Sequence, residues 1–181
     1  MSNWNLALWT VLALLLFWGI GAYNRLMRLR NAISAAFVQL DEHLTARAQL
    51  CSKLLTLLQP LLSNEKATFD ALELAQAEVR AAAHAARPRP YVAEPVGTLG
   101  VTSAVHAAAL TRLMSMLEHH AELREQADLY ALVDELKMIE RQRSFARQVF
   151  NQAVGQFNEA ITQFPTRILA SLYGFREARS L

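Results

Sequence analysis

Asp41 and Arg47 in the first third of the chain, and Glu140 and Arg147 in the last, lie on or beside apolar seven-residue repeats. Carboxylates and guanidiniums facing each other in a dry interior could hold or relay a proton, which is the chemistry of an acid–base site. The competing reading is a polar clasp that fixes how two helices align. The clasp is preferred, because breaking one partner of a buried pair is costly while the intact pair adds little. No local motif sets a His, Cys or Ser beside the carboxylates as a nucleophile. His119 and His120 are neighbours that point in different directions on a helix, unlike the i, i+4 pair of a zinc helix. His43 is expected at the edge of the core. The lone Cys51 excludes an intramolecular disulfide and a Cys-pair zinc site, and reads as packing. There is no Gly-rich phosphate loop, Gly-x-Ser-x-Gly elbow or His-Glu-x-x-His. Catalytic, cofactor-binding and metal-binding residues are therefore expected to be absent, and the protein is expected not to be an enzyme.

Asparagines repeat with the same spacing of seven: Asn24 and Asn31 early, Asn151 and Asn158 late. If Asn31 lies opposite Asn158 on antiparallel helices, facing residue numbers sum to about 189. Arg47 then falls near Gln142 and within reach of Glu140, and Asp41 falls near Arg147. The expected clasp comprises Asn24, Asn31, Asp41, Arg47, Glu140, Arg147, Asn151 and Asn158.

These residues have to be positioned by helices. Leu26, Ile33, Leu40, Arg47, Leu54 and Leu61 recur at seven, interleaved with Leu29, Ala36, His43, Leu50 and Leu57. Leu129, Leu136, Arg143, Phe150, Phe157 and Phe164 do the same, interleaved with Leu132, Ile139, Ala146, Ala153 and Ala160. Such stripes are those of coiled-coil packing. Neither Pro nor Gly occurs between Tyr23 and Gln59, so one long helix is expected there. Past Pro60, Ser63 with Glu65 reads as a cap and acidic first turn for a helix ending near Arg87. Residues 87–100, rich in Pro and Gly, read as a loop, with Thr102 or Ser103 capping a third helix that runs toward His119 and His120. A fourth starts near 122–126 and meets no Pro until Pro165. No segment alternates with the two-residue period of a strand.

The chain has 181 residues, 53% of them hydrophobic and only 8% aromatic. From Met1 through Asn24 there is no charged residue or His, a length that spans a bilayer as a helix. Nothing basic precedes this stretch, whereas Arg25, Arg28 and Arg30 follow it, so it reads as an uncleaved anchor with the N-terminus outside and the remainder cytoplasmic. The expected fold is all-α: an N-terminal transmembrane helix over residues 1–23 continuing into an antiparallel up-and-down four-helix bundle over 24–165. Residues 166–181 form an amphipathic tail, in which Ile168, Leu169, Leu172, Tyr173 and Phe175 mix with Arg167, Arg176 and Arg179. With Arg25, Arg28 and Arg30, these arginines are expected to form a membrane-surface set; capping the open end of the bundle is the alternative. The net charge of +2 excludes a strongly basic nucleic-acid binder.

Tyr23-Asn-Arg-Leu-Met-Arg-Leu-Arg-Asn31 after an anchor, then Leu40-Asp41 and Arg47, resembles the opening of the LemA family of bacterial membrane proteins. Glu140, Arg147-Gln-Val-Phe-Asn151, Gly155-Gln-Phe-Asn158, Phe164-Pro165 and Ala170-Ser-Leu-Tyr-Gly-Phe175 resemble its closing signature. Both ends match strongly and the middle weakly. The chain departs from the family with Phe150 and Phe157 where Tyr is usual, Ser52 where Pro is usual, no Tyr-Pro near His120, and Arg143 at an apolar position. The resemblance implies a single-span anchor on the bacterial inner membrane, a cytoplasmic helical bundle, and no established catalytic activity or active-site residues. The expected function is a non-enzymatic scaffold or organiser; the alternative is an accessory adaptor for a membrane enzyme such as a protease. The expected partners are the lipid bilayer and membrane or cytoplasmic proteins not identified from sequence, with a homo-oligomer left open.

Overall fold

The computed structural model describes residues 3–120, 123 and 126–181, and no strand occurs among them. Helix α1 runs unbroken from Asn3–Leu58, as the absence of interior helix breakers after Tyr23 requires. It stops where Gln59 and Pro60 turn the chain. A 3-10 turn at Ser63–Glu65 leads into α2, Lys66–Ala86. Ser63 does not cap α2; the residue before the helix is Glu65, with no side-chain cap bond.

The largest departure from the sequence reading is α3, which spans Ala93–His119. It begins nine residues ahead of the expected cap at Thr102, inside the segment read as a loop. Pro95 falls in the first turn, where a missing N–H costs no helical hydrogen bond. Thr102 instead bonds back to the carbonyls of Thr98 and Leu99 within the helix. A Cβ on Gly97 would stand 2.8 Å from Nη1 of Arg179, whose side chain crosses the helix there. Helix α4 spans Ala127–Thr162; the expected start at 122–126 falls mostly outside the described residues.

The apolar faces meet in two clusters, each drawing on α1 to α4. One gathers Leu26 to Leu44 with Val79 to Ala86, Val96, Leu99 and Ala146 to Ile161. The other gathers Leu50 to Leu62 with Phe69, Leu72, Leu110 to Leu117, Leu129 and Leu136. Helix α1 packs along α4 and α2 along α3. Phe37 meets Phe150 edge-on at 5.9 Å between centroids, and Arg47 meets Glu140 at 3.3 Å, so α1 and α4 run antiparallel. Both pairs sum to 187 rather than 189. The ring pair fills one layer and sets this alignment. Leu57 and Leu61 end the early stripe exposed, and Phe164 ends the late one exposed; Leu61 and Phe164 lie past the ends of α1 and α4.

The tail is only partly helical. Helix α5 is Thr166–Leu172, and Gly174 adopts φ +72°. The Phe175 N–H reaches back to the Ala170 carbonyl at 2.9 Å, a glycine-based helix stop that reverses the chain. Residues 175–181 then run non-helically along α4. The reason lies in what they meet.

Candidate functional site: a polar layer and a clasped tail

Each of the four long helices places a polar side chain where its seven-residue stripe calls for an apolar one. In α1 it is Arg47 between Leu40 and Leu54; in α2, Gln76 between Phe69 and Ala83. In α3 it is His106 between Leu99 and Leu113; in α4, Arg143 between Leu136 and Phe150. These residues form a polar layer between the two apolar clusters. Arg47 and His106 are each 1% exposed and Gln76 is 7% exposed.

Arg47 Nη1 donates to Glu140 Oε1 at 3.3 Å, while Arg143 donates through Nε and Nη2 to Glu140 Oε2 at 3.2 and 2.9 Å. Burial lowers the pKa of the Arg47 guanidinium, against the opposing pull of Glu140. For Glu140 burial acts upward, but the Arg143 hydrogen bond and the Arg47 charge outweigh it and hold the carboxyl below its ordinary value. Burial is also the main force bringing His106 down to about 4, with Arg47 adding to it. Burial pushes the Cys51 thiol up to about 11, a packed group rather than a nucleophile. Among the described residues no three His, Cys, Asp or Glu side chains come together as a metal site would require.

The expected pairing of Arg47 with Glu140 is thus present, but Asp41 and Arg147 do not meet. Asp41 instead accepts two hydrogen bonds from Arg87, the residue that follows α2, at 2.8 and 3.2 Å. Arg147 is exposed. The shift of two residues in alignment is more than half a helical turn, enough to rotate that contact away.

The asparagines divide differently. Asn24 and Asn31 are exposed on α1, and the expected bond between Asn31 and Asn158 is not formed. Asn158 donates from Nδ2 to the Ala178 carbonyl and accepts from the Ala178 N–H, both at 2.8 Å. Asn151 treats Leu181 in the same way, at 2.7 and 2.8 Å. Seven helical residues rise about 10.5 Å, and three extended residues cover about 10 Å. A repeat of seven on α4 therefore matches a spacing of three along the tail. Asn158→Leu removes both bonds to Ala178 and leaves its N–H and C=O unpaired, so a loss of about 2 kcal/mol is expected. Amide exchange at Ala178 should accelerate, while Asn31→Ala should stay within about 0.5 kcal/mol; denaturant unfolding with hydrogen exchange measures both.

The arginines expected at a membrane surface also separate. Arg25, Arg28, Arg167 and Arg176 are exposed. Arg30 instead lies over the ring of Tyr91 at 4.8 Å and near Phe175 at 5.9 Å, a stacked clamp between helix, loop and tail. Arg179 is exposed too, with its side chain lying over Gly97. Around Phe175 the rings of Tyr23 and Phe157 close the end of the core. Helix α5 leans on α1, with Tyr173 at 5.1 Å from Tyr23 and Leu169 Cδ1 4.0 Å from the position a Cβ on Gly19 would take.

His106 and Gln76 were not singled out from sequence. The signal was available, since both interrupt apolar positions seven residues on either side.

An all-helical protein with a long apolar N-terminal helix, a buried ion-pair layer and a tail tied down by α4 asparagines is the class these features define. Residues 36–181 match the model of the LemA family, and the chain belongs to that family. No curated protein sequence matches it.

Proposed function

We propose that this protein is a single-span bacterial inner-membrane protein that presents an up-and-down four-helix bundle to the cytoplasm as a scaffold or organiser, without catalysis of its own. The observation that carries this reading is the first part of α1. Every side chain from Trp4 to Trp18 is exposed, among them Trp4 at 79% and Phe17 at 71%. The same helix then continues without a break into the core. A core helix of a water-soluble domain would have buried this surface; lipid accommodates it. Arg25 and Arg28 follow at once, which favours a cytoplasmic bundle.

Helix α5 supports a foot at the interface. It lies against α1 at the level of Gly19 to Tyr23, and Phe164, Ile168, Leu172 and Tyr173 all stay more than half exposed. Exposed Arg167 and Arg176 would add about 1 kcal/mol each against anionic headgroups. Met138 and Phe145, seven residues apart on α4 and exposed, offer an apolar stripe for protein contacts.

The test is crosslinking in native membranes after alkaline extraction. Retention in the membrane pellet, digestion of the bundle only from the cytoplasmic side, and captured membrane proteins or self-adducts are the expected results. Release by alkali, or a bundle cut from outside the cell, overturns the reading. An adaptor role would show instead as altered turnover of captured proteins after the chain is deleted.

A further inference from the structure

Between α1 and α2, at the level of the polar layer, lies an open groove of about 640 Å³, within the range of small-molecule sites. Arg47, Gln76 and His106 line it. Two buried atoms there have no hydrogen-bond partner, Gln76 Oε1 and His106 Nδ1. Gln76 is fixed in place, because its Nε2 donates to the Ala48 carbonyl at 3.2 Å and to Ser52 Oγ at 2.9 Å. Its oxygen is therefore an anchored acceptor that lacks a donor. Unsatisfied buried atoms in a groove that opens to solvent are places for a ligand's polar groups.

The charges around the groove choose the ligand's sign. Asp41 and Arg87 neutralise each other at one end, leaving Lys53 and Arg80 on the rim and Arg47 below. A guanidinium has five N–H donors, and Arg47 gives one to Glu140. Within the groove the only buried cation is Arg47, already shared with Glu140, so a single anionic charge suits it, while Lys53 and Arg80 at the exposed rim are screened by solvent. Gln76 Oε1 in turn requires a donor, which an ionised carboxylate does not carry. The ligand therefore needs a hydroxyl as well.

We propose that the α1–α2 groove binds a small soluble hydroxycarboxylate, its carboxylate toward Arg47, Lys53 and Arg80 and a hydroxyl donating to Gln76 Oε1. His106 Nδ1 supplies a further hydrogen bond as donor or acceptor, according to its tautomer. The choice of a soluble ligand over a lipid headgroup rests on the anchor reading: with a span ending at Tyr23, the groove begins about 27 Å further along α1. Binding itself does not depend on that reading.

The test is thermal unfolding of the full chain in detergent with gluconate, acetate or inorganic phosphate at about 10 mM. Gluconate is expected to raise the midpoint by about 5 °C at a hundredfold excess over Kd, with acetate and phosphate well below it. Gln76→Met should abolish the gluconate shift. Lys53→Glu and Arg80→Glu, both at exposed positions that leave folding intact, should each weaken binding about tenfold. No shift with gluconate, the groove then holding water only, overturns the proposal. So does a gluconate shift that persists in Gln76→Met or in both rim variants, or a phosphate shift equal to that of gluconate. Should Gln76→Met fail to fold, the rim variants decide alone.

Discussion

Glu140→Ala is expected to lower the unfolding free energy by about 3 kcal/mol, and to do so more severely than Arg47→Met. The asymmetry follows from who is left behind. Without Glu140, Arg47 keeps its charge at 1% exposure and loses its carboxylate, while Arg143 stays beside it as a like charge. Without Arg47, Glu140 still holds Arg143 at 2.9 Å, and methionine fills the space with an apolar chain of similar length. Urea unfolding of the detergent-solubilised chain, followed by helical circular dichroism, measures both. Equal losses for the two variants would show that the layer's cost is not that of an orphaned guanidinium.

Acid is expected to weaken the fold in two successive windows. Above the ordinary histidine value of 6.5, His106 is neutral in both folded and unfolded chains and stability is at its plateau. As pH falls below 6.5 the unfolded chain takes up a proton that the folded chain refuses until about 4, so stability declines across that interval. The full loss is about 3 kcal/mol. Burial is its main cause; Arg47 and Arg143 facing the ring add to it and Glu140 opposes it. Glu140 acts lower down. Its folded pKa lies below 4.5, so its contribution is intact above that value and is lost as pH falls through the folded pKa. Urea midpoints across this range should decline in the wild type, and His106→Leu should remove the upper window while leaving the lower one. A wild type whose stability is flat from pH 6.5 to about 4.5 would contradict a neutral buried ring.

The helices were legible because their apolar residues repeat at seven and because Pro and Gly are rare. Arg47 and Glu140 could be paired because long helices joined in antiparallel fashion have few alignments, and the error of two residues came from trusting the asparagines. Asn151 and Asn158 were read as partners for another helix, but a seven-residue spacing on α4 fits an extended segment equally well. Nothing in residues 175–181 announces an extended path, since what holds them is backbone to side chain and carries no side-chain pattern of its own. The start of α3 was hidden for a related reason. Pro95 and Gly97 look like breakers locally, yet Pro95 sits in the first turn, and Gly97 answers to Arg179, far away in sequence. Asp41 was assigned to the wrong helix because short charged residues at the edge of a stripe can reach either neighbour. In the polar layer, reading two helices for their stripes and two for their caps left Gln76 and His106 unnoticed.

The unbroken course of α1 has a mechanical corollary. A hinge needs a glycine, a proline or a missing hydrogen bond, and between Tyr23 and Leu58 there is no Gly or Pro. On the proposed membrane reading, α1 from Tyr23 onward leans as one piece with the rest of the protein, and Gly19 and Gly21 are where it can bend relative to the span. A tilt imposed at Tyr23 is then carried undiminished to Leu58, because no residue between them offers a bend.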